Sequence, residues 1–312
     1  MSELDTAPVP GRGATTASRN AEAITTKERS QFQLVMLRFL RHRLAVGSLI
    51  IFLLVLAFAF LGPMVWQYDH TIDRDIPSEI GPSLSHPFGT TRAGNDVMGQ
   101  VMRGTQQSLK VAFLVAALAT SIGAVWGAVA GFYRGWVDGL MMRFVDVILV
   151  VPLLAVVLAL AGSIRGGTTW LHVALILGFV QWLGVSRLVR GMVLSLREQE
   201  FVEASRAMGA SDLRIIMRHL IPNTTGIIIV AATLEIAVAV LTEAALSFLG
   251  FGIQPPDTSL GLLIEDARTS VFTAPWLFYI PGGFLILIAL TINFVGDGLR
   301  DALDPRQTMV RR

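Results

Sequence analysis

The sequence of 312 residues contains no cysteine and few charged residues. Without cysteine there can be no disulfide scaffold, no thiolate metal site and no cysteine nucleophile. Charged residues make up 15% of the chain, compared with about 25% in soluble globular proteins. With 53% hydrophobic residues and a mean hydropathy of +0.61, soluble domains of this length would lack the polar surface to cover them. These figures exclude a soluble enzyme and a disordered chain, and they leave a protein dissolved in lipid.

Several catalytic motifs are also missing. The two lysines, Lys27 and Lys110, do not follow a glycine, so no P-loop lysine can reach nucleotide phosphates. No nucleophile elbow of the form Gly-x-Ser-x-Gly is present. No zinc motif of the form His-Glu-x-x-His occurs, because the histidines at 42, 70, 86, 172 and 219 are isolated from one another. We therefore predict a non-catalytic chain that binds no metal or cofactor, and any ATP-driven step requires a second polypeptide.

Long runs without charge recur along the chain. A transmembrane helix needs about 20 mostly apolar residues, and one such run contains only the two acids Glu235 and Glu243. We predict an all-α integral membrane protein with six transmembrane helices, near 44–67, 108–132, 141–161, 170–190, 224–247 and 275–296.

Basic residues are distributed unequally between alternate loops. If both termini are cytoplasmic, 19 of the 25 Lys and Arg residues lie on the cytoplasmic side, as the positive-inside rule requires. We therefore predict cytoplasmic termini and a multi-pass protein of the cell (inner) membrane. The predicted segments are a disordered tail (1–35), a first transmembrane helix with a basic flank (36–68), an extracytoplasmic segment (69–107), a five-helix core (108–298) that includes a cytoplasmic loop (191–222), and a C-terminal tail (299–312).

Three glycines of the second predicted helix recur every four residues, at Gly123, Gly127 and Gly131. This spacing places them along one ridge, where the absence of side chains permits close approach of another helix in lipid. The ridge is a candidate for tight helix packing. A partner interface, a pore lining and packing within the chain are all compatible with the pattern.

Two acids lie within the fifth predicted helix. An ionisable residue at membrane depth is costly and usually faces protein or a water-filled cavity. Glu235 is the candidate for a solute path. For Glu243, near the outer end of the helix, a role at the headgroup level and a role in helix packing are equally compatible with the sequence.

The loop 191–222 carries two short helical patterns. The first places Phe201, Ala204, Ser205 and Met208 on one face, with Gly209 ending the helix. In the second, Ser211 is a candidate cap and Pro222 is expected to break the chain after the apolar positions Leu213, Ile216, Met217 and Leu220. The pattern indicates a rigid unit that docks in a partner, and an amphipathic pair lying on the lipid surface is the alternative.

The same loop resembles that of a known family. Glu203-Ala204-Ser205, followed by Gly209 and by Ile221-Pro222, resembles the Glu-Ala-Ala, Gly, Leu-Pro loop of permease subunits of binding-protein-dependent ABC importers. Ser205, His219 and Ile221 depart mildly from that pattern. The resemblance implies a type I ABC importer fold and a short helix that docks in a cytoplasmic ATPase. It assigns this coupling role to Phe201, Val202, Glu203, Ala204, Ser205, Met208 and Gly209.

Further motifs resemble the dipeptide and oligopeptide branch of these importers, and the second of its two permeases. Thr91, Asn95 and Leu260 depart from the pattern at positions expected on the outer surface. The matching runs are His86-Pro87-Phe88-Gly89-Thr90, Gly94 with Asp96-Val97, Asp146 with Pro152, Leu194 to Glu198, Glu243 to Gly252, and Gly296 to Arg306.

The resemblance implies a complex of several chains in the membrane. The expected partners are a second homologous permease, two ATPase subunits that hold ATP and magnesium, an extracytoplasmic binding protein and membrane lipid, with no nucleic acid. Peptides are the expected solute, and nickel or glutathione are the alternatives within the same class. An ion-coupled secondary transporter that uses Glu235 and a non-transporting membrane scaffold are the more distant alternatives.

Overall fold

The computed structural model describes residues 31–71, 77–164 and 167–303. Within these ranges the chain is helical apart from its connections, and its β pairing is one bridge between Thr90 and Asp96. Residues 1–30 of the predicted tail 1–35 lie outside the described residues. The first helix begins at Gln31. The helices are α1 (Gln31–Arg41), α2 (Arg43–Val65), α3 (Val97–Tyr133), α4 (Gly135–Val150), α5 (Leu153–Gly162), α6 (Trp170–Leu196), α7 (Glu200–Ala207), α8 (Asp212–Ile215), α9 (Ile221–Phe248), α10 (Leu260–Asp266) and α11 (Trp276–Leu303).

Five helices are long and apolar enough to cross a membrane: α2, α3, α6, α11 and the continuous rod Asp212–Phe248. A sixth crossing exists if α4 and α5 form one span, because they meet at a bend of 79°. The structure therefore confirms an all-helical membrane protein with five to six spans. Helix α3 begins at Val97, so part of the segment 69–107, which was predicted to be extracytoplasmic, belongs to a long helix.

The transmembrane helix predicted near 141–161 is divided into α4 and α5, because the chain bends at Val151 and Pro152. Val151 adopts an extended conformation with φ −76° and ψ 129°. A residue that precedes proline is disfavoured in the helical region, and the proline itself has no N–H to donate to the preceding turn. The bend follows from Pro152, and α4 mainly contacts α3 whereas α5 contacts α6.

Helix α3 lies at the centre of the bundle, and α6 runs along it in the same direction. Helices α2 and α11 pack as an antiparallel pair, and α9 contacts α3, α6 and α11. The bundle has two ends. One end holds α7 and α8, the C-termini of α3, α6 and α11, and the N-terminus of α2, and we call it the α7 end. We call the opposite end the α10 end.

Pro222 does not break the chain, contrary to the sequence prediction. A π-helical turn, Ile216–Leu220, joins α8 to α9 without interruption. In this wider turn the N–H of Ile221 donates to the carbonyl of Ile216, so the helix continues although Pro222 lacks a donor. The amide of Asn223 donates to the carbonyl of His219 at 2.6 Å, which satisfies an acceptor close to the irregular turn.

Candidate functional site

Helix α7 is anchored to the α7 end of the bundle by its inward face. Val202 is fully buried and Ser205 is nearly so. Val202 belongs to an apolar cluster that joins α7 and α8 to the ends of α3 and α6. Its members are Ala124, Ala128, Phe132, Val185, Val189, Val193, Val202, Ile215, Ile216 and Leu220. Through Val202 this cluster places α7 against the ends of two membrane helices.

The outward face of α7 and α8 is apolar and exposed. Met208 is 81% exposed and Leu213 is 69% exposed. Phe201 and Met217 are exposed beside them. We call these four side chains, with Ala204, the α7 surface. The helix face predicted for α7 was wrong in one respect: Ser205 is buried together with Val202, whereas the other members of that face are exposed. The apolar positions predicted for the second helix do not share one environment, because Ile216 and Leu220 are buried and the others are exposed.

The turn after α7 requires glycine. Gly209 has a φ of +80°, a region that side-chain-bearing residues rarely adopt. The N–H of Gly209 donates to the carbonyl of Arg206 at 2.9 Å, and the N–H of Ala210 donates to the carbonyl of Ser205 at 3.1 Å. These bonds satisfy carbonyls at the helix end. Ser211, the candidate cap of the second helix, occupies the N-cap position but makes no side-chain capping bond.

The acid of the predicted coupling motif is available to a partner. Glu203 lies on the exposed side of α7, and within the described residues its carboxylate has no salt-bridge partner. Helix α7 also carries Glu200 and Glu203 in its first turn and Arg206 in its last, an arrangement that complements the helix dipole. Glu203 therefore places an unpaired acid next to the apolar side chains of the α7 surface.

Arginines surround the junction between α3 and α7. The guanidinium of Arg206 lies 5.0 Å from the centre of the Phe132 ring, and that of Arg197 lies 5.9 Å from it. Arg197 also donates to the backbone carbonyl of Phe132. Burial, followed by repulsion from Arg134 and Arg206, lowers the pKa of Arg197. Arg134 pairs with Glu198 at 2.9 Å, which offsets part of this positive charge.

The predicted glycine ridge of α3 packs against α6. A Cβ atom at Gly123 would lie 2.7 Å from the Cβ atom of Val185. Cβ atoms at Gly127 and Gly131 would lie 2.9 Å from the backbone N and O atoms of Arg190, respectively. All three distances are too short for a side chain. The three glycines therefore permit backbone contact between two helices of the same chain.

Glu243 lies within the bundle near the α10 end and is fully buried. Its carboxylate accepts hydrogen bonds from the hydroxyls of Ser108 at 2.8 Å and Ser247 at 2.7 Å. Ser247 in turn contacts Ser259, whose hydroxyl caps α10 by accepting from the N–H of Leu262. Of the two roles that the sequence left open for Glu243, the structure shows helix packing: the acid joins α3, α9 and α10.

Glu235 lies halfway along α9 and is partly buried. In the described part of the chain its carboxylate makes no ion pair. Its neighbour Leu234 lines a cavity of about 520 Å³ between α6, α9 and the end of α11, together with Leu188 and Arg300. Glu235 is thus separated from the α7 surface and from Glu243, and the structure does not bring the three predicted sites together.

A polar residue that the sequence reading missed lies on α6. The side-chain amide of Gln181 is buried, and neither its oxygen nor its nitrogen has a hydrogen-bond partner within the described ranges. Gln181 precedes Leu188 and Met192 by seven and eleven residues, and both line the same cavity. This spacing places Gln181 on the same side of α6. An uncharged amide inside a long apolar run was the signal that could have identified it.

The α10 end is held by polar bonds to α3. Asp96 is fully buried, caps α3 by accepting from the N–H of Gly99, and contacts Nδ1 of His86 at 2.8 Å. Arg103 pairs with Asp257 through two bonds of 2.9 and 3.2 Å. These contacts explain why the segment before α3 and the segment before α10 form one rigid face. Among the described residues, no group of three or more His, Cys, Asp or Glu could hold a metal ion.

Comparison with known proteins places the chain in a family. The family model for the inner membrane component of binding-protein-dependent transport systems matches residues 123–309. The family model for the N-terminal transmembrane domain of oligopeptide transport permease C matches residues 30–86. Two solved structures of the MetNI methionine ABC transporter in inward-facing conformations match with TM-scores of 0.57 and 0.53. Each match has 20% sequence identity and covers 67% of this chain and 98% of the solved chain. These matches show that the fold is shared.

Curated relatives extend the similarity over nearly the whole sequence. The oligopeptide transport system permease protein OppC of Mycobacterium tuberculosis is 42% identical over 288 residues, or 92% of this chain and 99% of the relative. OppC of Bacillus subtilis is 37% identical over 287 residues, 92% of this chain and 93% of the relative. A putative peptide permease protein of Brucella suis is 42% identical over 272 residues, 86% and 89% respectively. The chain therefore belongs to the family of inner membrane components of binding-protein-dependent transport systems, and it is a multi-pass permease of the ABC importer fold.

Proposed function

We propose that this chain is the permease subunit of an ATP-driven importer of oligopeptides. In this proposal ATPase subunits dock on the α7 surface, a second homologous permease completes the solute path, and an extracytoplasmic binding protein delivers peptide at the α10 end. The peptide substrate is supported by the relatives, which are named oligopeptide permeases. ATP and magnesium bind on the ATPase subunits, and this chain supplies no catalytic residue.

The observation that carries the proposal is the structure of the α7 end. There a short helix presents exposed apolar side chains outward, while Val202 on its inward face packs into the apolar cluster with α3 and α6. Exposed apolar side chains around a rigid helix indicate a protein-binding surface. Helices that lie on lipid have polar faces rich in Lys and Arg, whereas α7 carries the acids Glu200 and Glu203 in its first turn.

The proposal also fixes the orientation. The α7 end holds the N-terminal part of the described chain as well as the C-terminal part, since Phe39 packs against Gly298 and Arg38 lies near the carbonyl of Ala302. Most Lys and Arg residues within the described ranges lie toward this end, whereas Arg92, Arg103, Lys110 and Arg268 lie toward the other. Both termini are therefore cytoplasmic if the positive-inside rule holds, and the α10 end faces outward.

The solute path is assigned to the side of α6 and α9 that carries the cavity beside Leu188 and Leu234. Glu235 and Gln181 are the polar residues proposed to line it. Both have polar atoms without a partner in the described chain, and unpaired polar groups at membrane depth are costly unless a solute, water or partner subunit satisfies them. In this arrangement the second permease closes the open side of the cavity.

Docking is tested by comparing two equally drastic substitutions at opposite ends. Met208→Asp places a charge on the α7 surface, and Phe272→Asp places one at the α10 end, where Phe272 is 99% exposed. Co-purification of the ATPase with the epitope-tagged permease is the measurement. We expect Met208→Asp to abolish it and Phe272→Asp to leave it unchanged. Equal retention of the ATPase by both variants would refute the assignment of the α7 surface.

Transport is tested with the assembled complex in proteoliposomes that enclose ATP. Uptake of a radiolabelled oligopeptide should require ATP and the binding protein. The variant Glu235→Gln distinguishes the ion-coupled alternative, since a carrier that uses this acid as its proton site would lose uptake. We expect ATP-driven uptake by Glu235→Gln to persist and to remain insensitive to dissipation of the ion gradients.

A further inference from the structure

A small cavity of about 230 Å³ lies at the α10 end, between the loop before α3, helix α10 and the first turns of α11. Small-molecule sites usually measure about 300–1,000 Å³, so this cavity suits one long side chain better than an oligopeptide. Its lining includes Arg92, Asn95, Leu263, Asp266, Ser270 and Leu277. We call it the α10 cavity.

The walls of the α10 cavity are held in place by hydrogen bonds. The N–H of Thr91 donates to the carbonyl of Asn95 at 3.0 Å, and the N–H of Asn95 donates to the hydroxyl of Thr91 at 3.0 Å. On the other side, the carbonyl of Ser270 accepts from the N–H of Ala274 at 2.7 Å. Since both walls are fixed, the cavity is formed before any partner arrives.

The charges of the cavity are not balanced within the described chain. Arg92 is paired with Glu79, with 3.2 Å between Nε and Oε1. Asp266 has no cation within ion-pair distance in the residues that the structure covers. Burial, and then the neighbouring carboxylate of Glu265, raise the pKa of Asp266. A positive charge brought to Asp266 would therefore relieve an unfavourable environment.

A second acceptor accompanies this acid. Asn95 lines the α10 cavity, and its Oδ1 atom is buried without a donor in the described chain. A buried acceptor that finds no donor is destabilising, because it has lost its hydrogen bonds to water without replacing them. Within the described residues the cavity thus offers a carboxylate that lacks a cation and a carbonyl that lacks a donor, and both accept hydrogen bonds from an ammonium or guanidinium group.

The surroundings suit a protein partner. Phe272, two residues beyond the lining residue Ser270, is almost completely exposed. An exposed aromatic side chain next to a charged pocket is typical of protein interfaces. A peptide solute passing through would gain little from Phe272, because it lies outside the cavity.

We propose that the α10 cavity receives a lysine or arginine side chain of the extracytoplasmic binding protein, which pairs with Asp266 and donates to Asn95. This inference rests on the proposed function, because it takes the α10 end as the outer face. The binding protein is then positioned over the path by one charged anchor. This contact is formed by two parts of the transporter and not by the solute, so it is the same whichever peptide is carried.

The test measures binding of the purified binding protein to the complete transporter in nanodiscs by surface plasmon resonance. We expect Asp266→Asn to weaken this binding about tenfold and Asp266→Lys to abolish it, while Asp266→Glu retains it. Asp69→Asn is the control, because it removes the same charge from an exposed carboxylate at the same end of the bundle, outside the cavity lining. Its expected effect is less than twofold. Basal ATP hydrolysis confirms that each variant complex is assembled.

The possible results separate the two proposals. If the wild-type complex does not bind the binding protein, the proposed function fails. If the wild-type binds and Asp266→Asn binds equally well, the α10 cavity is not the anchor. Equal losses in Asp266→Asn and Asp69→Asn would show general electrostatic attraction, which also overturns the inference. If the Asp266→Asn complex fails to assemble, Asp266→Glu and Asn95→Leu test the inference instead. We expect Asp266→Glu to retain binding and Asn95→Leu to weaken it.

Discussion

The contact between α3 and α6 makes a quantitative prediction at Gly127. A Cβ atom there would lie 2.9 Å from the backbone nitrogen of Arg190 and closer still to the backbone oxygen of Ser186. Ordinary contact begins near 3.4 Å, so the methyl group of Gly127→Ala overlaps α6 by about half an ångström or more. Both atoms belong to the backbone and cannot rotate away. The helices must separate, and the apolar cluster around Val189 and Val193 loses contact.

Overpacking of a tight interface costs about 1–3 kcal/mol, and we expect Gly127→Ala to fall at the upper end, near 2–3 kcal/mol. The free energy of unfolding of the purified permease in mixed detergent micelles is the measurement. Gly191 provides the matched control: it lies on α6 beside Arg190, and a Cβ atom there would meet nothing within 4 Å. Gly191→Ala should leave stability unchanged or slightly raised, because alanine is the better helix former. Equal stability of the two variants would show that the α3–α6 backbone contact does not support the fold.

Two further predictions concern the other sites. Glu243→Ala should lower the free energy of unfolding by about 2–4 kcal/mol, because the buried hydroxyls of Ser108 and Ser247 lose their acceptor; Ser108→Ala, which removes one donor only, should cost less in the same assay. Gly209→Ala should weaken protection of the turn in hydrogen exchange by about 1–2 kcal/mol, because its φ of +80° is strained for alanine. Gly209→Asn should retain most of that protection, and if alanine and asparagine behave alike, strain at this turn is not the cause.

Hydrophobic spacing predicted most of the fold. The predicted helix near 170–190 overlaps α6, and the one near 275–296 overlaps α11, because uncharged runs bounded by charge define a span in lipid. The bend at Pro152 was not predicted. Proline is tolerated within transmembrane helices where neighbouring groups satisfy the freed carbonyls, so sequence cannot distinguish a break from a continuation. The same ambiguity led to the opposite error at Pro222, where a break was predicted but a π-helical turn allows the helix to continue.

The candidate site was predictable only where its chemistry is local. The end of α7 at Gly209 follows from one residue, and the structure places that glycine in the conformation that ends a helix. The face that α7 turns inward was not predictable, because Val202 and Ser205 are buried against residues of α3 and α6 that lie far away in sequence. For the same reason the sequence could not choose between the roles of Glu243, whose partner Ser108 is 135 residues distant.

The helix that begins at Asp212 gives the proposed docking site a route to the other side of the membrane. The rod Asp212–Phe248 contains 37 residues, which at 1.5 Å per residue span about 55 Å. At its first turns Ile215 and Ile216 are buried against the α7 anchor, and near its last turn Glu243 is bonded to α3 and, through Ser247 and Ser259, to α10. A force applied at the α7 surface therefore reaches the α10 end through one continuous helix. Along this helix, the π-helical turn before Pro222 is the one place where the α-helical hydrogen bonding is interrupted. Closure of ATPase subunits on the α7 surface and acceptance of a binding protein beside α10 would thus act on the two ends of a single element.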